Sequence, residues 1–220
     1  MDAPLTLPEF YKYAIFVMFA IVIAESFPIS IKIFVPFTNL LTYNGIENAL
    51  TLILIYFFII TSWIGYFSSI TLNPHTQTKT GISRFSIDLF IIFLYYYLIL
   101  LAQDISHHGD IFVYVLPLIF SAFLVWDFLR YVEYKNVKRE SKQAHANRKN
   151  RLGRTGLVLV LFIILSLSYA YLIPLKKLTI DGNVVVWNIL FIAVSFTIVF
   201  VYRWKTLEHP KGRQSTKSLS

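Results

Sequence analysis

The chain has 220 residues, of which 56% are hydrophobic, 17% aromatic and 15% charged, and its mean hydropathy is +0.62. A soluble domain is about 45–50% apolar and about 25% charged, so this composition belongs to a bilayer and argues against a water-soluble globule. The absence of cysteine excludes disulfides, thiolate metal sites and cysteine nucleophiles, and the net charge of +8 reads as membrane-loop bias before it reads as nucleic-acid binding.

Six apolar segments in chain order predict an all-α fold, a polytopic six-transmembrane-helix bundle in one domain over 1–206. Roughly 20 helical residues, at about 1.5 Å each, cross a hydrocarbon core about 30 Å thick. The first segment, 13–33, carries Glu25, Pro28 and Lys32 in its second half. It begins only after Lys12 and lacks a clean small-x-small cleavage site, so it is expected to stay as a membrane helix and not act as a signal peptide. The second and third segments are 49–70 and 85–102. A short connection over 103–110 makes the third an antiparallel neighbour of the fourth, 111–131. A basic loop, 132–155, follows, into which the fourth helix is expected to continue through Val132, Tyr134 and Val137 before the polar run from Lys138 to Arg154. The last spans are 156–175 and 184–202, and the polar tail 207–220 is expected to be disordered.

Charge sets an expected orientation. With six spans, Lys32, Lys176 and Lys177 fall on one side and the other seventeen of the twenty Lys and Arg residues on the opposite side. The positive-inside rule then places both termini in the cytoplasm, with a prokaryotic plasma membrane as the expected location.

Ionisable residues inside spans are costly and are functional candidates by default. Asp88 lies one turn inside the third span, with Arg84 four residues before it on the same helical face. Asp127 lies one turn from the end of the fourth span, with Arg130 three residues on. The second span ends at the same level. A polar cluster at the inner membrane boundary is therefore expected from Trp63, Tyr66, Arg84, Asp88, Trp126, Asp127 and Arg130. It reads either as a latch between helices, with snorkelling arginines and interfacial aromatics, or as a gate or ligand site.

Glu25 stands apart, past the middle of the first span and beside Pro28, which frees a backbone carbonyl. Either the helix continues and Glu25 is an intramembrane carboxylate, or the helix ends there. Asp104, His107, His108 and Asp110 bring two imidazoles and two carboxylates into seven residues, a weak candidate for an external metal ion.

No GxSxG elbow, HExxH motif or Walker loop is present, so an enzyme ranks last and no cofactor is expected. The leading expectation is a small oligomeric channel or pore-like protein that moves ions. The alternative is a non-conducting anchor or accessory subunit whose basic cytoplasmic loop docks a partner protein or anionic lipid. The expected partners are the lipid bilayer, anionic lipid at the cytoplasmic face and further copies of the chain, with no nucleic acid.

Overall fold

The computed structural model describes residues 6–72, 75–134, 142–176 and 183–207. They form six long helices: α1 (Leu7–Phe34), α2 (Tyr43–Leu72), α3 (Lys79–Leu101), α4 (Ile105–Tyr134), α5 (Lys142–Lys176) and α6 (Asn183–Leu207). Each contains a stretch long and apolar enough to cross a bilayer. The chain is therefore a multi-pass membrane protein in contact with lipid.

Side-chain chemistry explains where several helices begin. Thr6 caps α1: its backbone N–H and hydroxyl both donate to Glu9, at 2.9 and 2.8 Å, and Pro8 occupies the first turn, where no N–H partner is needed. Thr78 caps α3, its hydroxyl accepting from the Gly81 N–H at 3.2 Å. Between α1 and α2 the chain makes a 3-10 turn, Phe37–Leu41, whose backbone folds closely onto Gly45.

The helices do not pack in sequence order. Around the bundle α1 touches α3, α3 touches α4, α4 touches α5, α5 touches α6, and α6 returns to α2. Helix α2 also meets α1, α3 and α4. Cross-helix bonds join the C-terminal ends of α2, α4 and α6 to the N-terminal ends of α3 and α5. This is the basic end. The opposite end gathers the N-terminal ends of α2 and α6 with the C-terminal part of α5.

The middle of the bundle is filled. Phe58, Tyr95, Phe120 and Phe162 are fully buried at mid-height, with Phe120 stacked on Phe162 at 4.8 Å and Phe58 edge-on to Phe120 at 5.9 Å. Phe58 also lies 6.4 Å from Tyr95. These rings pack on one another across α2, α3, α4 and α5.

The first span crosses intact. Helix α1 runs through Pro28 to Phe34, settling the question raised by the sequence. Tyr56 of α2 holds the two flanks of the proline, its hydroxyl bonded to Ser26 at 2.5 Å and Ser30 at 2.7 Å. Neighbouring polar groups of this kind keep a proline-interrupted helix together in lipid.

Within the basic loop expected over 132–155, the described residues 132–134 and 142–155 are helical. Helix α4 continues to Tyr134, and α5 starts at Lys142, well before the expected fifth span at 156–175. At about 1.5 Å per residue its 35 residues extend roughly 51 Å, well beyond a hydrocarbon core. Residues 135–141 and the tail from 208 lie outside the described residues.

Candidate functional site

Four helices, α3 to α6, bring charged residues to the basic end, where Trp126 of α4 forms the hub. Three guanidinium groups lie over its indole: Arg84 of α3 at 4.8 Å, Arg151 of α5 at 5.3 Å and Arg130 of α4 at 5.6 Å. A cation over the face of tryptophan is stabilised by the ring quadrupole, and desolvation strengthens the attraction. Trp126, Arg84 and Arg130 are all buried.

Carboxylates tie the arginines across the helices. Arg84 pairs with Glu133 of α4. The other oxygen of Glu133 accepts from the Thr76 N–H at 3.2 Å and from the Thr76 hydroxyl, which draws the α2–α3 connection onto α4. On the opposite side of Trp126, Asp127 stands 2.8 Å from Arg151 and accepts from the Thr155 hydroxyl at 2.7 Å. Thr155 also bonds the Tyr202 hydroxyl at 3.0 Å, so α6 joins the same layer.

Asp88 faces His75, its Oδ2 atom 3.1 Å from the imidazole Nε2. The contact becomes an ion pair when the imidazole is protonated. The Tyr66 hydroxyl reaches the same nitrogen at 3.3 Å, and Tyr11 packs edge-on against the ring and stacks on Phe85 at 4.3 Å. One layer deeper, Arg203 of α6 donates to Ser62 of α2, whose hydroxyl shares a 2.5 Å bond with Tyr95 of α3.

The residues expected at this boundary are placed as follows. Tyr66, Arg84, Asp88, Trp126, Asp127 and Arg130 are all buried near the basic end. Trp63 is half-buried and stacks on Phe19 of α1, with ring centroids 6.1 Å apart. Asp127 finds its cation on α5, while Arg130, its expected neighbour along α4, lies against Trp126.

Glu25 lies on the exposed outer side of α1 and takes no part in this layer. The side chains of Asp104, His107, His108 and Asp110 lie outside the described residues. Among the described residues, no group of three His, Cys, Asp or Glu side chains is arranged to hold a metal ion.

A second polar site occupies the opposite end and joins α2, α5 and α6. Glu47 is fully buried and accepts from Asn188 Nδ2 at 2.5 Å, while the Tyr169 hydroxyl donates to Asn188 Oδ1. Asn188→Leu would leave both Glu47 and Tyr169 without these bonds. Loss of the Asn188 donor from the buried Glu47 carboxylate costs about 1–3 kcal/mol, so the variant should melt below the parent in detergent. Glu47→Gln retains a carbonyl acceptor and should melt close to it.

Gly81 is a close-approach position. A Cβ there would stand 2.0 Å from the Thr76 carbonyl oxygen. Gly81→Ala must displace the turn that carries His75 and Thr76, at about 1–3 kcal/mol. Faster proteolysis between α2 and α3 is the expected readout.

Comparison with protein-family models, curated proteins and solved structures yields no match.

Several members of the cluster escaped the sequence reading: His75, Thr76, Glu133, Arg151, Thr155 and Arg203. One signal was available on α5. Arg148, Arg151 and Thr155 recur at three- and four-residue spacing, which makes one face of a helix. Arg148 lies over the Tyr134 ring at 5.3 Å, so this face packs on α4.

Proposed function

We propose that the chain is a non-conducting multi-pass membrane anchor or accessory subunit. Both termini and the basic end lie in the cytoplasm, where that end meets anionic lipid headgroups. The observation behind this reading is the filled interior. Fully buried aromatic side chains occupy the mid-height of the bundle, the boundary carboxylates Asp127 and Glu133 are engaged across helices, and Asp88 is engaged by His75 of the α2–α3 connection. Such pairing fits a latch that fixes the relative positions of the helices. The orientation rests on the seventeen-to-three division of basic residues.

Flux assays in proteoliposomes test the reading. Cation and anion leak should equal that of empty vesicles across pH and voltage. Protein-dependent flux above that background would overturn it.

A second reading is favoured by Glu25. This carboxylate lies on the exposed outer side of α1, within its apolar stretch and next to Ala24. A charge facing hydrocarbon is costly, and an oligomer that places Glu25 along a path between copies would remove that cost. The chain would then be an oligomeric ion-moving protein. In that case proteoliposomes would conduct and Glu25→Gln would suppress the current.

A further inference from the structure

Helices α5 and α6 leave a groove of about 540 Å³ between them near the basic end. Its floor and walls are apolar, including Leu157 and Leu161 of α5 and Ile198 and Val201 of α6. Leu157, Leu161 and Val201 are exposed in the isolated chain. The groove therefore opens outward along the surface that a bilayer covers. Its volume is within the range of small-molecule sites, about 300–1,000 Å³.

Two cations stand at its mouth. Arg154 and Lys205 line the same groove, Lys205 as the last residue of the apolar span of α6 and Arg154 as the last charged residue before the uncharged run of α5 that begins at Thr155. Arg154 is held in position by donating to the Lys205 carbonyl oxygen at 3.0 Å, bridging the two helices. One of its guanidinium nitrogens is used in this way, and the fork has further N–H groups to offer. The Lys205 side chain is exposed.

We propose that this groove is a specific site for one anionic phospholipid. An acyl chain lies along Leu157, Leu161, Ile198 and Val201, and the headgroup phosphate meets Arg154 and Lys205. The division of the groove selects this occupant. A free anion would leave the apolar part unfilled, and an apolar partner helix would bring nothing to the two cations. Basic residues at the membrane-facing end of a cleft between helices are a recurring arrangement for anionic headgroups. The inference rests on the reading that the basic end meets anionic lipid, and it adds the location and the chemical class of that lipid.

Native mass spectrometry of delipidated protein tests the site with three probes: phosphatidylglycerol, phosphatidylcholine and inorganic phosphate. One phosphatidylglycerol should be retained in preference to phosphatidylcholine. The double variant Arg154→Gln/Lys205→Gln should weaken that binding by about thirtyfold, the effect of removing two charges near a membrane surface. Leu161→Trp, which fills the apolar part and leaves both cations in place, should also displace the lipid. Circular dichroism melts identify any variant that is not folded, and Val201→Trp then replaces Leu161→Trp.

Equal retention of the two lipids, or unchanged binding in both folded variants, would overturn the proposal. Full competition by inorganic phosphate would do the same, making this a soluble-anion site. A dimer that Leu161→Trp dissociates would put a second copy in the groove instead. Flux measured on the same preparations is independent: a conducting protein that still retains the lipid defeats the anchor reading alone, and a silent protein without selective retention defeats the lipid site alone.

Discussion

Arg84→Ala should lower the unfolding free energy by about 3–5 kcal/mol, the usual cost of removing one partner from a buried ion pair. Arg84 is 0% exposed, lies over Trp126 and pairs with Glu133. Removing it leaves the Glu133 carboxylate near the membrane boundary with the Thr76 bonds but without that guanidinium. Reversible unfolding in mixed micelles gives the measurement. The double variant Arg84→Met/Glu133→Leu should recover much of the loss, because it removes both charges and keeps most of the volume. A single-variant loss below about 1 kcal/mol would show that the pair is effectively solvated, as surface pairs are.

Trp126→Ala should be of similar size, about 3–5 kcal/mol, the range for truncating a large buried aromatic side chain. The physical cause is twofold. The substitution opens a cavity at the centre of the basic end, and it removes the π face shared by Arg84, Arg130 and Arg151. Arg84 and Arg151 would keep Glu133 and Asp127, while Arg130 would lose the ring it lies against. Trp126→Phe keeps a ring face and should retain most of the stability. If Trp126→Ala melts like the parent, the indole is a passive interfacial aromatic and not the hub of the layer.

The two expectations concern one assembly seen from its two components. The arginines need carboxylates to offset their charge and Trp126 to cover their faces. Neither is provided by a single helix. Helix α3 carries Arg84 and Asp88, α4 carries Trp126, Asp127, Arg130 and Glu133, and α5 brings Arg151 and Thr155. Helix α6 adds Tyr202 and Arg203, and α2 supplies Ser62 and Tyr66. The layer therefore forms only when the helices have found their neighbours.

Length and hydropathy were sufficient for six spans, because the cost of unsatisfied backbone in hydrocarbon leaves long apolar segments almost no option but the helix. The same argument placed Asp88 and Asp127 near one boundary, since depth follows from counting residues along a helix. Their partners were not legible. A helix crossing is set by side-chain packing between surfaces, and the order α1–α3–α4–α5–α6–α2 around the bundle is written in no single segment. Distance along the chain favoured Arg130 for Asp127, whereas packing delivered Arg151 from α5.

The first and fifth helices show the same division. Proline and charge made the continuity of α1 undecidable from local rules, and it was decided by Tyr56, a residue of another helix. The polar stretch before the fifth span read as loop because hydropathy reports only the part inside lipid. Its arginines are helical because α4 offers them Asp127 and Tyr134. The buried Glu47 site was invisible for the same reason, since Asn188 and Tyr169 are remote in sequence.

The sequence by itself determined that this protein is helical and spans a membrane six times, because the bilayer as solvent acts on each segment separately. Only the tertiary structure decided which charges meet, that aromatic side chains from four helices pack together at mid-height, and that Glu25 faces outward. Those outcomes depend on how surfaces from different helices fit together, a property of pairs and triplets of segments that no segment carries alone.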